Sequence, residues 1–147
     1  MCLSVAVARP DHVLATGTHA GHQWAVVHNG RGFRCGYVRV DKGHPWFGKS
    51  MHDLDADASV HGGITFADKD VPCDKGGADD GYWVGFDCAH AWDLPDQSLQ
   101  VEEEEFRRLG KMMMDHPLDD SEIRTQEYVE AECRSLCEQA AAVCQAA

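Results

Sequence analysis

Two short segments, residues 60–66 and 82–90, alternate apolar and polar side chains with the period of two that predicts β-strands. One face of each predicted strand is apolar and would contribute to a core. The opposite faces carry glycine beside polar or aromatic residues: His61, Gly63 and Thr65 in the first segment, and Trp83, Gly85 and Asp87 in the second. Glycine inside a strand often marks the close approach of a ligand or of another backbone. The two segments therefore predict a partly polar hollow wherever these strands are neighbours.

A β-hairpin is predicted ahead of these segments. Residues 23–28 and 33–40 are rich in aromatic and β-branched side chains, and Asn29-Gly30 between them supplies the positive φ angles of a tight turn. The loop that follows contains Trp46. We expect this side chain either to close the edge of the core or to form a lid.

Two helices are predicted in the C-terminal half of the chain. The last one starts near Thr125 and repeats small and apolar residues with the 3.6-residue period of an amphipathic helix: Val129, Cys133, Leu136, Cys137, Ala140, Val143 and Cys144. The segment 99–114 is compatible with a second helix that begins in an acidic run. The chain therefore predicts an α+β fold, in which a small antiparallel sheet of three to five strands is covered by the long C-terminal helix.

Length and composition are those of one globular domain, because the chain has 147 residues of which 44% are hydrophobic. Residues 1–21 show little periodicity, so we expect a loosely attached N-terminal arm ahead of a single α+β domain at 22–147. The net charge of −12 disfavours a nucleic-acid duplex as partner, since duplex binding requires basic residues that neutralise phosphates. No apolar stretch of about 18 residues is present, and no membrane span is expected.

The cysteines indicate a reducing environment. Seven are present without a Cys-x-x-Cys pair, which is typical of neither a secreted disulfide framework nor a structural zinc knuckle. We therefore expect a cytoplasmic protein. Cys88 and His90 share one face of the second predicted strand, which would suit a thiol nucleophile and its base. The same face carries Val84 and Phe86, so we interpret Cys88 as a core thiol.

An ordered series of short motifs carries a resemblance to known proteins. The motifs are GYV at 36–38, HPWFG at 44–48, HGGITF at 61–66, WVGFDCAHA at 83–91 and EYV at 127–129. Over roughly residues 22–140 the chain resembles a family of small, uncharacterised bacteriophage and prophage proteins, notably of actinobacteria. The resemblance implies a phage-related origin and the cytoplasm of a bacterial host, and it implies no mechanism. The chain departs from the family at Trp92, where a small residue is expected.

A metal site is one chemistry for the predicted hollow. His61, Asp87 and His90, with Asp93 as a further candidate, offer the imidazole and carboxylate ligands that suit zinc, manganese or iron. On a continuous strand Asp87 and His90 point to opposite faces. Both can therefore reach one ion only if the strand ends or bends near Cys88.

Recognition of a small ligand is the competing chemistry. Trp83 and Trp46 could stack on a flat molecule, while His61, Thr65 and Asp87 could bind its polar groups. The hypothesis we favour from sequence is a phage-type accessory protein that binds a small, nucleotide-like ligand in counter-defence. Its site is formed by His61, Thr65, Trp83, Asp87, His90 and Trp46.

Two alternatives stay open at this point. The first is a metal-dependent hydrolase in which His61, Asp87 and His90 hold zinc or manganese. The second is an acidic protein that inhibits a basic host protein by surface contact, which the net charge of −12 would favour through long-range attraction. The partner is accordingly a small molecule or a host protein, and self-association as a homo-oligomer is compatible with each hypothesis.

Overall fold

Five antiparallel strands form one sheet in the computed structural model, which describes residues 9–70 and 81–146. The strands are β1 (Val13–His19), β2 (His22–His28), β3 (Arg34–Asp41), β4 (Phe66–Lys69) and β5 (Gly81–Asp87). Their spatial order is β1-β2-β3-β5-β4. The predicted hairpin is present as β2 and β3, and the two segments that suggested a hollow are neighbours, because β4 pairs with β5.

Three α-helices, a short 3-10 helix (Pro10–His12) and a small parallel strand pair complete the described part of the chain. The helices are α1 (Met51–Asp57), α2 (Glu104–Asp115) and α3 (Gln126–Ala146), and the strand pair is β6 (Asp93–Leu94) with β7 (Glu122–Ile123). The predicted α+β fold, with a five-stranded antiparallel sheet and a long C-terminal helix, is thus confirmed. No helix within 9–70 or 81–146 is both long enough and apolar enough to cross a membrane.

The main core lies between α3 and the sheet. The buried residues of α3 belong to the stripe predicted from the sequence: Val129, Cys133, Leu136, Cys137 and Ala140. They pack against β2 and β3. Close approach is possible because β3 carries Gly36, where a Cβ would clash with the Phe86 ring and lie 2.7 Å from Cys133 Sγ. The first turns of α3 are therefore held directly on the sheet.

The N-terminal segment differs from the expected loose arm. Residues Val13–His19 form the edge strand β1, which pairs with β2 along its length. The sequence signal that was missed is Ala20-Gly21, where both residues adopt positive φ angles of 50° and 82° and make the two-residue turn of a hairpin. Residues 1–8 of the predicted arm lie outside the described residues.

The predicted strand at 60–66 is wrong over most of its length. Gly62 and Gly63 adopt φ angles of +68° and +88°, which belong to the left-handed region and not to a strand. The segment 60–63 is instead a turn closed by a hydrogen bond from the Gly63 N–H to the Val60 carbonyl, 2.9 Å long. Pairing begins only at Thr65, whose N–H donates to the Gly85 carbonyl.

The turn of the β2–β3 hairpin is longer than predicted. Asn29 does not adopt a positive φ; the left-handed residues are Gly30 and Gly32, with φ of +81° and +99°. The side-chain oxygen of Asn29 instead accepts hydrogen bonds from the backbone N–H groups of Arg31 and Phe33, at 2.8 and 3.2 Å. Asparagine thus organises this loop through its side chain, as it often does in turns.

Candidate metal centre

Three connections between regular elements meet at one end of the sheet and build a polar cluster. His61 lies in the glycine turn before β4, while His90 lies in the turn after β5, closed by a hydrogen bond of 2.9 Å from the Asp93 N–H to the His90 carbonyl. The parallel pairing of β6 with β7 then brings Arg124 beside Asp93. Tyr128 reaches the cluster from the first turns of α3.

Asp93 is the centre of this cluster. Its side chain is fully buried, and its Oδ2 accepts hydrogen bonds from His61 Nε2, from His90 Nδ1 and from the His90 backbone N–H, each 3.0 Å long. Its Oδ1 accepts from Arg124 Nε at 2.8 Å. Burial by itself would raise the pKa of Asp93, but the hydrogen bonds from His61, His90 and Arg124 hold that pKa below its usual value. Asp93 is therefore a buried carboxylate in its ionised form.

His61 is held on both sides of its ring. Its side chain is only 6% exposed, and its Nδ1 lies 2.8 Å from the Tyr128 hydroxyl while Nε2 faces Asp93. The backbone N–H of His61 donates to Glu132 Oε1 at 3.0 Å. Burial raises the pKa of the Tyr128 hydroxyl, which therefore stays protonated and able to pair with the imidazole. Both the position and the orientation of His61 are thus fixed.

His90 is the member of the cluster that reaches solvent, because its side chain is 20% exposed. One face of its imidazole covers Gly62, where a Cβ would clash with the ring. The other face stacks on Trp92, with ring centroids 4.8 Å apart and planes within 5°. Gly62 is thus required by the approach of His90, and the half-exposed Trp92 forms the outer wall of the site.

The cluster fits a transition-metal ion. One ligand atom from each of His61, His90 and Asp93 lies within 4.8 Å of the others, and His61 Nε2 and His90 Nδ1 are each 3.0 Å from Asp93 Oδ2. Ligand atoms around a tetrahedral ion with bonds of about 2.0–2.1 Å are themselves about 3.3 Å apart. Two imidazoles and one carboxylate are also a common ligand set of catalytic zinc sites, which leave a fourth position open.

The neighbours of the three candidate ligands have the arrangement that supports metal binding. Tyr128 hydrogen-bonds the ring nitrogen of His61 that faces away from Asp93, and Arg124 holds the carboxylate oxygen that is not shared with the imidazoles. Without an ion, His61 Nε2–H donates to Asp93 and Nδ1 accepts from Tyr128; with an ion at Nε2, Nδ1–H would donate to the Tyr128 oxygen, which is the kind of outer contact that orients a metal-binding histidine. The guanidinium of Arg124 also balances the charge of Asp93, and it forms a second ion pair with Glu122 at 3.2 Å.

The predicted site residues are only partly brought together. The structure assembles His61 and His90, and the carboxylate between them is Asp93 in place of Asp87. Strand β5 ends at Asp87, which is the early strand end that a shared site for Asp87 and His90 required. The Asp87 Oδ1 atom nevertheless accepts a hydrogen bond from the Ala89 N–H and lies 3.8 Å from His90 Nδ1. Thr65 is exposed beside β4 and belongs to the neighbouring edge of the sheet.

The two tryptophans proposed as stacking platforms are core residues. Trp46 is fully buried in the main core beneath α3. Trp83 is fully buried on the opposite face of the sheet, where it packs with Ala25 and Val27. A strand sends successive side chains to opposite faces, so β5 itself separates Trp83 from the cluster. The predicted hollow, in which Trp83 would share one site with His61, Thr65 and Asp87, therefore does not form among the described residues.

Sequence reasoning missed three contributors to the cluster. Arg124 and Glu132 carried no local signal, because their importance depends on contacts with residues about 30 and 70 positions away. Tyr128 stood inside one of the motifs that carried the family resemblance, but nothing in the sequence gave its hydroxyl a role. The sequence did show that Trp92 stands where the resembled family has a small residue, and in the structure Trp92 forms the outer wall of the site.

Cys88 lies beside the cluster without the properties of a nucleophile. It is 1% exposed, and its pKa is raised first by burial and further by Asp93. A thiol with a raised pKa and no access to solvent stays protonated and unreactive. The interpretation of Cys88 as a core thiol therefore agrees with the structure.

Comparison with known proteins adds no assignment. No protein-family model, no curated protein and no solved structure matches this chain. The geometry of the site is therefore the basis for assigning a function.

Proposed function

We propose that this protein is a metal-dependent hydrolase whose zinc- or manganese-type ion is held by His61 Nε2, His90 Nδ1 and Asp93 Oδ2. The observation that carries the proposal is the convergence of two imidazoles on one buried, ionised carboxylate. Asp93 replaces Asp87 in the ligand set expected from the sequence. Buried charges in proteins are paired or coordinate metal ions, and the oxygen of Asp93 that both imidazoles approach is the one we assign to the ion.

The exposed side of His90 gives the site its reactive position. An ion bound here would polarise a substrate oxygen and lower the pKa of a bound water toward neutrality. Asp87 is the next carboxylate along this side, with its side chain 35% exposed and its Oδ1 3.8 Å from His90 Nδ1. We assign it the role of base, which takes the proton from the attacking water and returns it to the leaving group when the ester, amide or phosphoester bond breaks.

The metal proposal has more support than binding of a nucleotide-like ligand at the same place. The predicted stacking residues Trp46 and Trp83 are both fully buried, and the exposed aromatic ring that contacts the cluster within residues 9–70 and 81–146 is Trp92. A phage-type accessory role in counter-defence, and inhibition of a basic host protein by an acidic surface, stay predictions from the sequence. A hydrolase that removes a host signal would be compatible with the first of them.

Metal stoichiometry tests the proposal directly. We expect protein purified without chelator to carry about one zinc or manganese ion per chain, measured by native mass spectrometry and elemental analysis. His61→Ala and His90→Ala should each weaken binding by about 100-fold or more, because losing a ligand exceeds the 10–100-fold typical of an outer partner. Tyr128→Phe, which removes only the outer hydrogen bond to His61, should fall within that smaller range.

Two variants serve as controls for this measurement. His52→Ala removes an exposed histidine of α1 and should leave the bound metal unchanged. Asp87→Asn should keep the metal but lose hydrolysis of activated esters or phosphoesters, since Asp87 acts as base and not as ligand. Equal metal content in His52→Ala and in His90→Ala, or chains that bind no stoichiometric ion, would contradict the proposal.

A further inference from the structure

A groove runs beside α2, and its lining includes Pro95, two residues after Asp93, without including any of the three candidate metal ligands. It has a volume of about 420 Å³ and lies between α2, the loop at 95–101 and the turn at Arg31-Gly32. Backbone hydrogen bonds hold the loop on the turn, from the Asp96 N–H to the Gly32 carbonyl and from the Glu102 N–H to the Gly30 carbonyl. The volume is within the range of about 300–1,000 Å³ that is usual for sites of small organic ligands.

The floor and walls of this groove are largely apolar. The apolar side chains that line it are Pro95, Leu99, Val101, Phe106 and Met114. The groove is open to solvent along α2, because Gly110 is the single buried residue of that helix and its other side chains stay at least partly exposed. An apolar groove of this size would gain stability from an apolar occupant, because burial is worth about 25 cal/mol per Å².

The charges at the groove are unusual for this acidic chain. Arg31 and Lys111 both line it, and neither makes an ion pair within residues 9–70 and 81–146. The Arg31 guanidinium lies 4.3 Å from the centre of the Phe106 ring. Of the two acids in the lining, Asp96 is paired with Arg34 at 2.9 Å, and Asp115 is exposed at the end of α2. Three cations therefore stand beside an apolar groove in a chain of net charge −12: Arg31 and Lys111, and also Arg107, which is paired with Glu104.

Packing within the described residues does not require glycine at position 110. Glycine inside a helix costs about 1 kcal/mol relative to alanine. A Cβ at Gly110 would lie 3.5 and 3.7 Å from side-chain atoms of Pro95, which is ordinary van der Waals contact. The protein alone would therefore accept alanine here. A bound molecule gives the missing reason, because a Cβ at 110 would project into the wall of the groove.

We propose that this groove binds a small amphipathic anion, with its apolar body against Phe106, Leu99 and Met114 and its carboxylate or phosphate head between Arg31 and Lys111. The apolar lining and the two unpaired cations match the two ends of such a molecule. The missing Cβ of Gly110 makes room for it. None of these residues belongs to the metal centre, so the proposal stands or falls independently of the metal-dependent function.

The test uses three eight-carbon probes on the full chain: octanoate, octyl phosphate and the neutral octanamide. Binding is followed by the amide shifts of Gly32 and Gly110 in ¹⁵N-labelled protein. We expect each anion to bind at least about 10-fold more tightly than octanamide, and the shifts to be confined to the groove. The ratio of the two anions tells whether a carboxylate or a phosphate is the preferred head. Equal binding of anion and amide, or shifts spread over the surface, would overturn the proposal.

Four variants separate the parts of the argument. Arg31→Gln and Lys111→Gln should weaken the anions about 10-fold and leave octanamide unchanged. The matched control Arg108→Gln, which removes an α2 cation outside the groove, should change neither. Gly110→Ala should weaken all three probes while raising the free energy of unfolding, because alanine favours the helix. A Gly110→Ala protein that binds as tightly as the original chain would refute the role given to this glycine.

Discussion

Replacing Asp93 with alanine is expected to lower the free energy of unfolding by about 3–5 kcal/mol, the usual cost of removing one partner of a buried ionic network. The variant leaves the donors of His61, His90 and Arg124 without their acceptor, and the Arg124 charge is then only partly offset by Glu122. Urea unfolding followed by far-UV circular dichroism measures the loss. The chain should be metal-free when measured, so that the protein network alone is compared.

The matched control is Asp87→Ala, which removes a carboxylate from the same turn. Asp87 is partly exposed and accepts one hydrogen bond, from the Ala89 N–H at 3.1 Å. Its loss should cost about 1 kcal/mol, as for an ordinary single hydrogen bond. Equal costs for the two variants would show that Asp93 is not the centre of the network.

The same carboxylate predicts how stability changes with acid. The pKa of Asp93 is lower in the folded chain than in the unfolded chain, where an aspartate has a pKa of about 3.9. Its contribution is therefore fully present above about pH 4 and is lost as the pH falls through the lower, folded value. We expect acid unfolding curves of the original chain to show this loss and those of Asp93→Asn to lack it. Parallel curves for the two proteins below pH 4 would contradict the assignment.

The sequence predicts correctly those parts of the fold where the hydrophobic pattern is long, or where two neighbouring segments and a turn signal indicate the same element. The stripe on α3 runs for several turns, so a helix was the one element that could bury it. The β2–β3 hairpin had two β-rich segments around an asparagine and a glycine. Even there the turn differed, because the Asn29 side chain, and not its backbone angle, organises the loop.

The glycines show why the rest was out of reach. Their presence was interpreted as room for a ligand, but at two positions a side chain of the protein itself takes the space. A Cβ at Gly85 would clash with the Tyr37 ring, and one at Gly63 would lie 2.7 Å from Asp55 Oδ1. The sequence does not tell which neighbour approaches a glycine, because that neighbour comes from another strand or turn. An alternation over seven residues was likewise too short to distinguish a strand from the turn at 60–63.

The candidate site was predictable in its residue types and not in its partners. His61 and His90 were expected to meet at the end of β5, and they do, with rings 5.6 Å apart. The choice of Asp93 over Asp87 depends on the turn that returns the Asp93 N–H to the His90 carbonyl and on the β6–β7 pairing. The strand pairing joins residues that are far apart in the sequence, and the turn depends on a backbone conformation that residue spacing does not specify. Local spacing alone therefore favoured the wrong carboxylate.

Trp83→Ala is expected to cost about 3–5 kcal/mol of unfolding free energy, the range for truncating a large buried aromatic residue. Trp83 is fully buried on the sheet face opposite α3, and partly buried Val13, Tyr37 and Phe66 pack around its cluster. Trp83→Phe should cost less, about 1–2 kcal/mol, because it keeps most of the apolar contact. It also removes an indole N–H that has no hydrogen-bond partner within the described residues. Urea unfolding followed by far-UV circular dichroism measures both changes.

Metal binding by the folded Trp83 variants distinguishes a core residue from a recognition surface. Trp83 lies across the sheet from Asp93, so the affinity of Trp83→Phe for zinc should equal that of the original chain. Trp92→Ala is the contrasting variant, because this exposed ring stacks on His90. It should leave stability almost unchanged and weaken metal binding by loosening the imidazole. The reverse result, in which Trp83→Ala keeps its stability and loses a bound ligand, would restore the stacking platform that the sequence suggested.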